Sequence, residues 1–358
     1  MPLAFGLVGQ PDFTGAASNA GGATSEIGIA QPLGGIATDG TRFYIPDYGN
    51  NRVLAWNNIP DSPSELPDFV LGQDSSSGNS PGTAANQLAL PASVAVSGGK
   101  LVVADAGNNR VLIWNTLPEA NVAADVVLGQ PDFITSEAGV SATQMAFPAA
   151  ASVANNQLFV VDQNNNRVLI WNTLPTESGT AADVVLGQRD FVTNLAADEE
   201  DGLSNPAGIW TDGFRLLVGD SGNNRVMYWA QVPRTSGADA TYVIGQSDFS
   251  RNTAGVGSSS MRTPYGIASD GTRIYVADAG NNRVLKFDAF PIASGQVALD
   301  VYGQDAFEAR TPNDDDQDGV ADDTPTERTL STPTGVTYAG GALYVSDRNN
   351  HRVLFFPD

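Results

Sequence analysis

The densest group of ligand-type side chains lies between Thr311 and Arg328, in the run TPNDDDQDGVADDTPTER. Asp314, Asp316 and Asp318 stand at every second position and Gly319 follows them, so alternate carboxylates precede a sharp turn. Val320 adds a main-chain carbonyl after the turn, and Asp322 and Asp323 add further carboxylates. An all-oxygen set suits a hard cation, and the spacing predicts one bound calcium ion. The other acidic run, AADEEDG at 196–202, lacks both the alternation and the glycine spacing and reads as a solvated loop.

The rest of the chain offers little for catalysis. His351 is the single histidine and cysteine is absent, which leaves no thiolate nucleophile or thiolate metal site. GNSPG at 78–82 fits the pattern G-x-S-x-G, but Pro81 follows the serine in a Ser- and Gly-rich loop without a strand-to-helix elbow. Carboxylates from distant segments can converge only in three dimensions. The 358 residues carry a formal charge of −22, and Lys100 and Lys286 are the only lysines, so the field repels phosphate backbones and favours cations or basic partners. Nucleic acid is therefore not an expected partner. No apolar run approaches the length of a membrane span, so membrane insertion is not expected. MPLAFGLVGQ lacks the basic start and cleavage signature of a secretion signal.

The elements that must position these residues are repeats. Close copies of DAGNNRVLIW begin at Asp47, Asp105, Asp162, Asp220, Asp278 and Asp347, at spacings of 58, 57, 58, 58 and 69. A second landmark, VLGQPDF or its kin, places glutamines at 10, 73, 130, 188, 246 and 304. Each unit parses into four short β-branched and aromatic runs separated by Gly, Asn, Asp and Pro, as in PYGIASDG, RIYVADAG, NRVLKFD and ALDVYGQ. Four strands per repeat and six repeats predict an all-β, six-bladed β-propeller of antiparallel blades. The units are 32–73, 91–130, 148–188, 206–246, 264–304 and 333–356, and the last lacks a fourth strand. Residues 3–10 supply it, so the N-terminal strand is expected to pair beside 352–356 and close the ring.

Within the repeat, the position two after each Asp is Gly49, Gly107, Asn164, Gly222, Gly280 or Asn349, types that tolerate the positive φ expected there. The Arg that opens the third strand is expected to bridge to the repeat's own Asp or to carbonyls. The aromatic residue four positions later, from Trp56 to Phe356, is expected to pack between blades.

Strings such as GIASDGTRIYVADAGNNRVLKFD, and RNNHRVLFF in the last unit, resemble NHL repeats over almost the whole chain. That resemblance implies a propeller that serves as a binding, sensor or interaction domain, or in some members as a lyase. NHL enzymes that cleave peptidyl-hydroxyglycine hold zinc with several histidines, whereas His351 here stands alone in the turn slot that other repeats fill with Asn. RNA-binding members use a positive face that this charge does not offer. Residues 313–323 in turn resemble EF-hand and thrombospondin type 3 calcium loops, except that Pro325 stands where an EF-hand has its bidentate Glu and Glu327 lies two residues late. The departure implies the weak affinity of extracellular modules, about 10⁻⁴ to 10⁻³ M.

The links from each fourth strand to the next first strand are long, at 11–31, 74–90, 131–147, 189–205, 247–263 and 305–332, and by alternation emerge on the face of the GNN turns. Long divergent loops on a rigid frame are where recognition is expected. Tyr265, Trp210 and His351 are the unrepeated candidates for that ligand face, with packing the competing role for Trp210. The expectation is a noncatalytic, monomeric binding or interaction propeller with a calcium-stabilised loop and a protein, peptide or glycan ligand. The alternative is a metal-dependent hydrolase or lactonase with its ion on the central axis. An acidic, calcium-carrying, cysteine-free chain suits the periplasm, the cell surface or secretion.

Overall fold

A computed structural model describes residues 2–358. Six four-stranded antiparallel sheets are arranged in a ring, a six-bladed β-propeller. The second blade shows the pattern: Pro91–Ser97, Lys100–Asp105, Arg110–Trp114 and Val126–Leu128 pair in chain order from the axis outward. In the sixth, Pro333–Ala339, Ala342–Asp347 and Arg352–Pro357 are joined by Gly6–Val8, with Gly6 opposite Phe355 and Val8 opposite Val353. The ring therefore closes through the N-terminal strand.

Alternation explains why one blade cannot stand alone. Both faces of each sheet are apolar, and each of the six cores lies between two blades. Val103 and Leu112 of the second blade pack with Tyr44 and Val53 of the first, while Val102 and Ile113 pack with Val160 and Leu169 of the third. The aromatic residue ending the third strand always enters such a core, from Trp56 through Trp229 to Phe287 and Phe356. Each of those tryptophans also donates its indole N–H to a carbonyl of the following outer loop, as Trp114 does to Val122 at 3.1 Å.

The turn after each Asp corrects one expectation. Positive φ falls four residues after the Asp, at Asn51, Asn109, Asn166, Asn224, Asn282 and His351, and not two after it. The earlier position needs glycine for a different reason. Gly107 donates to the Ala89 carbonyl at 2.9 Å, and a Cβ there would sit 2.7 Å from that oxygen. Where asparagine occupies the slot, at Asn164 and Asn349, the same hydrogen bond lengthens to 3.1 Å. The chain accommodates the side chain by a small retreat of the backbone.

Fourth strands run back toward the GNN turns, because Leu128 pairs with Val111 and Leu186 with Val168, so the long links emerge on the turn face. First strands start on that face and line the axis. Their leading residues are buried and their trailing ones half-buried, as in Pro91–Ser97, Pro148–Ala154 and Pro333–Ala339. The axial channel, a cavity of about 250 Å³, is therefore closed toward the long loops and open at the opposite end.

Candidate functional site

The repeated motif is a charge network with no exposed member. In each blade the Asp, the Asn three residues after it and the Arg five residues after it are buried. Asp105 accepts hydrogen bonds from Arg110 Nε at 2.7 Å, Asn108 Nδ2 at 2.8 Å and the Ala89 N–H at 2.7 Å. Burial pushes such carboxyls upward, Asp220 to about 6, and the neighbouring guanidinium and the donated hydrogen bonds pull them back. The remaining guanidinium nitrogens bind the long loops on either side. Arg167 donates to Ser141 and Gln144 carbonyls of the loop before its blade, each at 2.9 Å, and to the Phe191 carbonyl of the loop after it at 2.7 Å. That phenylalanine packs against the blade core, and Phe13, Phe133, Phe249 and Phe307 repeat the arrangement.

Two further residue types clamp the loops: the repeated Gln, which the sequence marked without a role, and the last Asn of each turn, whose amide bonds reach beyond the hairpin. Gln130 donates through Nε2 to the Asn109 carbonyl and, seven residues on, to the Glu137 carbonyl at 2.8 Å. Asn109 reaches forward, donating to the Ser136 carbonyl and accepting from the Phe147 N–H at 2.8 Å. His351 replaces Asn as that acceptor, its Nδ1 taking the Gln31 N–H at 2.9 Å, and desolvation holds its imidazole below the usual histidine range. Its side chain thus holds the first long link in register.

Tyr265 and Trp210, grouped by sequence at one mouth, lie at opposite ends of the channel. Tyr265 sits at the turn-face end and crosses the axis to join Leu33, Ala92, Ala106, Tyr48 and Phe147 in a small apolar cap. Burial there pushes its hydroxyl up to about 12. Trp210 pairs with Leu217 near the far end, its ring 5.4 Å from that of Phe290, against which the Arg215 guanidinium also rests. The inner strands crowd beneath the cap. A Cβ on Gly335 would lie 1.8 Å from the Gly34 carbonyl oxygen, and one on Gly208 equally close to that of Tyr265. Among the described residues the channel lining consists of Gly, Ala, Val, Ile, Ser and Thr with Trp210, Tyr265 and Tyr338, and contains no carboxylate, imidazole or amine.

The acidic insert is folded into a compact loop. Carboxylate oxygens of Asp314, Asp316 and Asp322 lie within 4.8 Å of one another, with Asp314 buried and the other two exposed. Asp314 receives the N–H groups of Asp318 at 3.1 Å and Gly319 at 3.0 Å, and Gly319 takes φ +90° at the turn. The carboxylate of Asp318 instead accepts the Val320 N–H at 2.8 Å, the Val320 side chain is exposed, and Asp323 is not part of the convergent group. Three of the six sequence-assigned ligand residues are thus brought together. Neighbouring contacts anchor the loop: Asn313 and Asn350 exchange amide hydrogen bonds at 3.0 and 2.8 Å, and Asp315 pairs with Arg328 at 3.2 Å.

A ring of six such blades is a β-propeller, and the buried Asp–Asn–Arg set marks its repeat. The NHL repeat model matches residues 88–114 and 330–356, in the second and sixth blades, and the other four units carry the same Asp, Asn and Arg. No curated protein matches the sequence. Among solved structures, a structural genomics protein of unknown function from Bacteroides thetaiotaomicron VPI-5482 is similar with a TM-score of 0.56 and 14% identity, over 98% of this chain and 74% of that one. An auxiliary nutrient binding protein from the same organism is similar with a TM-score of 0.55 and 12% identity, over 98% and 76%. Virginiamycin B lyase from Staphylococcus aureus covers 92% of this chain and 95% of its own at 12% identity and a TM-score of 0.48. At these identities the likeness is one of fold.

Proposed function

We propose that the protein is a noncatalytic binding module whose long-loop face recognises a protein, peptide or glycan ligand and whose last loop is braced by calcium. One observation carries this reading: in every blade the buried Arg joins the Asp of the frame to main-chain carbonyls of divergent long loops, so the repeated chemistry of the frame holds variable surface in place. Rigid scaffolds that present variable loops are built for recognition. The axial-metal hydrolase reading lacks support, because the channel lining offers only hydroxyl and main-chain oxygens to an ion.

Asp314, Asp316 and Asp322 would hold the calcium ion, neutralising carboxylates that have no cationic partner among the described residues. Oxygen-only donors favour calcium or magnesium over softer metals. Calorimetric titration of chelator-treated protein tests the assignment, beside a variant in which a Gly-Ser link replaces residues 313–323. One equivalent bound by the intact protein and none by the variant is expected. Binding that persists in the variant would move the ion elsewhere and reopen the enzyme reading. The proposed monomer is checked by light scattering, and the proposed periplasmic, surface or secreted location by cell fractionation.

A further inference from the structure

The centre of the long-loop face has its own chemistry. Each first strand is preceded by a residue in the left-handed region immediately before proline: Gln31, Leu90, Phe147, Asn205, Thr263 and Thr332, with φ between 46° and 56°. That conformation is disfavoured before proline and is an outlier for β-branched threonine. The preceding blade holds it: the N–H of each of the six is accepted by the turn residue of the neighbour, Asn51 for Leu90 at 2.8 Å and His351 for Gln31 at 2.9 Å. Strain maintained six times with one backbone and differing side chains points to a use for those side chains. Around the ring they divide into a polar arc, Asn205, Thr263, Thr332 and Gln31, and an apolar arc, Leu90 and Phe147. Phe147 belongs to the axial cap, where Tyr48 and Tyr265 are half-buried over Leu33 and Ala92. The cap borders Arg348, whose guanidinium lies 5.9 Å from the Tyr48 ring and whose buried Nε has no acceptor among the described residues.

An aromatic centre inside a polar rim is the anatomy of a protein-interaction hot spot. The rim supplies the sign of the partner. The loop after blade 3 carries Asp198, Glu199, Glu200 and Asp201, the loop after blade 5 carries the Asp314–Asp323 insert, and the whole chain has a charge of −22. Such a field concentrates cationic segments. We propose that the axial cap docks an extended, lysine- and arginine-rich segment of a partner protein, which lays one large apolar side chain on Phe147 and Tyr48 and offers a carbonyl to the half-buried Arg348 guanidinium. This rests on the reading of the long-loop face as the recognition surface.

The test is selection from a displayed random-peptide library on the intact protein, followed by anisotropy titration of the selected peptides. Net-positive peptides with an aromatic or long aliphatic residue are expected. Their affinity should fall about tenfold or more in Phe147→Asn and in Arg348→Ser. Both variants import the residue that blade 4 carries at the same place, Asn205 and Ser221, so the fold tolerates them. Affinity lost in Val192→Ser with Leu195→Ser on a long loop, but kept in both cap variants, overturns the cap while leaving the face intact. Affinity lost only in Val96→Arg, at the open end of the channel, sinks both readings. Selection of acidic or neutral peptides, or of none, also overturns the proposal.

Discussion

The repeat frame and the loop that joins blade 5 to blade 6 treat a buried carboxylate in opposite ways. Asp105 is fully buried and meets a guanidinium, an amide and a main-chain N–H, so its charge is balanced within the repeat. Asp314, 3% exposed, meets only main-chain N–H groups and two further carboxylates. A buried charge requires compensation, and where the chain supplies no cation the carboxyl is left to main-chain donors, to protonation or to an external cation. Blade 6 also replaces the turn Asn with His351 and borrows its last strand from the other end of the chain. Every repeat Asp, Asp347 of blade 6 included, is balanced within its own blade, whereas Asp314 has no cation beside it among the described residues.

The largest effect expected from breaking this contrast is in the regular network. Arg167→Ala leaves Asp162 buried without its counter-charge and should cost about 3–5 kcal/mol in urea unfolding. A cost under about 1 kcal/mol would mean that the carboxyl simply protonates or rehydrates. Next comes metal removal. At about 10 mM calcium, a site of about 10⁻⁴ to 10⁻³ M affinity stabilises the fold by about 1.4–2.7 kcal/mol. The melting temperature should drop on adding chelator, and Asp314→Asn should abolish that drop.

Gly107→Asn imports the side chain that blade 3 carries at Asn164, and a loss of at most about 1 kcal/mol is expected. By contrast, Gly335→Ala meets main chain with no room to retreat and should cost several times more, about 3 kcal/mol. Thermal melts of the pair decide it.

The smallest effect is the pH response of His351. Its folded imidazole titrates below the free value of about 6.5, so the contribution is neutral above that pH. As pH falls below it, the unfolded chain binds the proton first and stability declines. Melting curves at pH 7.5 and 5.5 should show His351→Asn losing less than the wild type, by a difference on the order of 1 °C.

Much of this was legible in sequence because repetition exposes local rules. The period and the strand runs give the blade count, and HRVLFFPD without a following strand points to the N-terminal partner of Gly6–Val8. An Asp–Arg bridge, or one from Arg to carbonyls, follows from charge and spacing. Less legible was the turn: Gly107 invites a positive-φ reading, yet its role is proximity to the Ala89 carbonyl, a contact with a residue 18 positions earlier that no local rule contains. The acidic insert showed its carboxylates in the sequence but not its geometry, since Asp318 turns to the Val320 N–H while Asp322 converges on Asp314 and Asp316.

The cap was hidden for the same reason. Leu33, Tyr48, Phe147 and Tyr265 come from blades 1, 3 and 5, and only closure of the ring brings them over one axis. Local periodicity and turn chemistry act between near neighbours, so the sequence by itself determined the strands and the six blades and narrowed the partner of each repeat's Arg to its own Asp or to carbonyls. Which end of the channel is closed, which carboxylates converge and which side chains share the centre of the face depend on contacts between blades. Those contacts exist only once the sheets have packed, and the tertiary structure alone decided them.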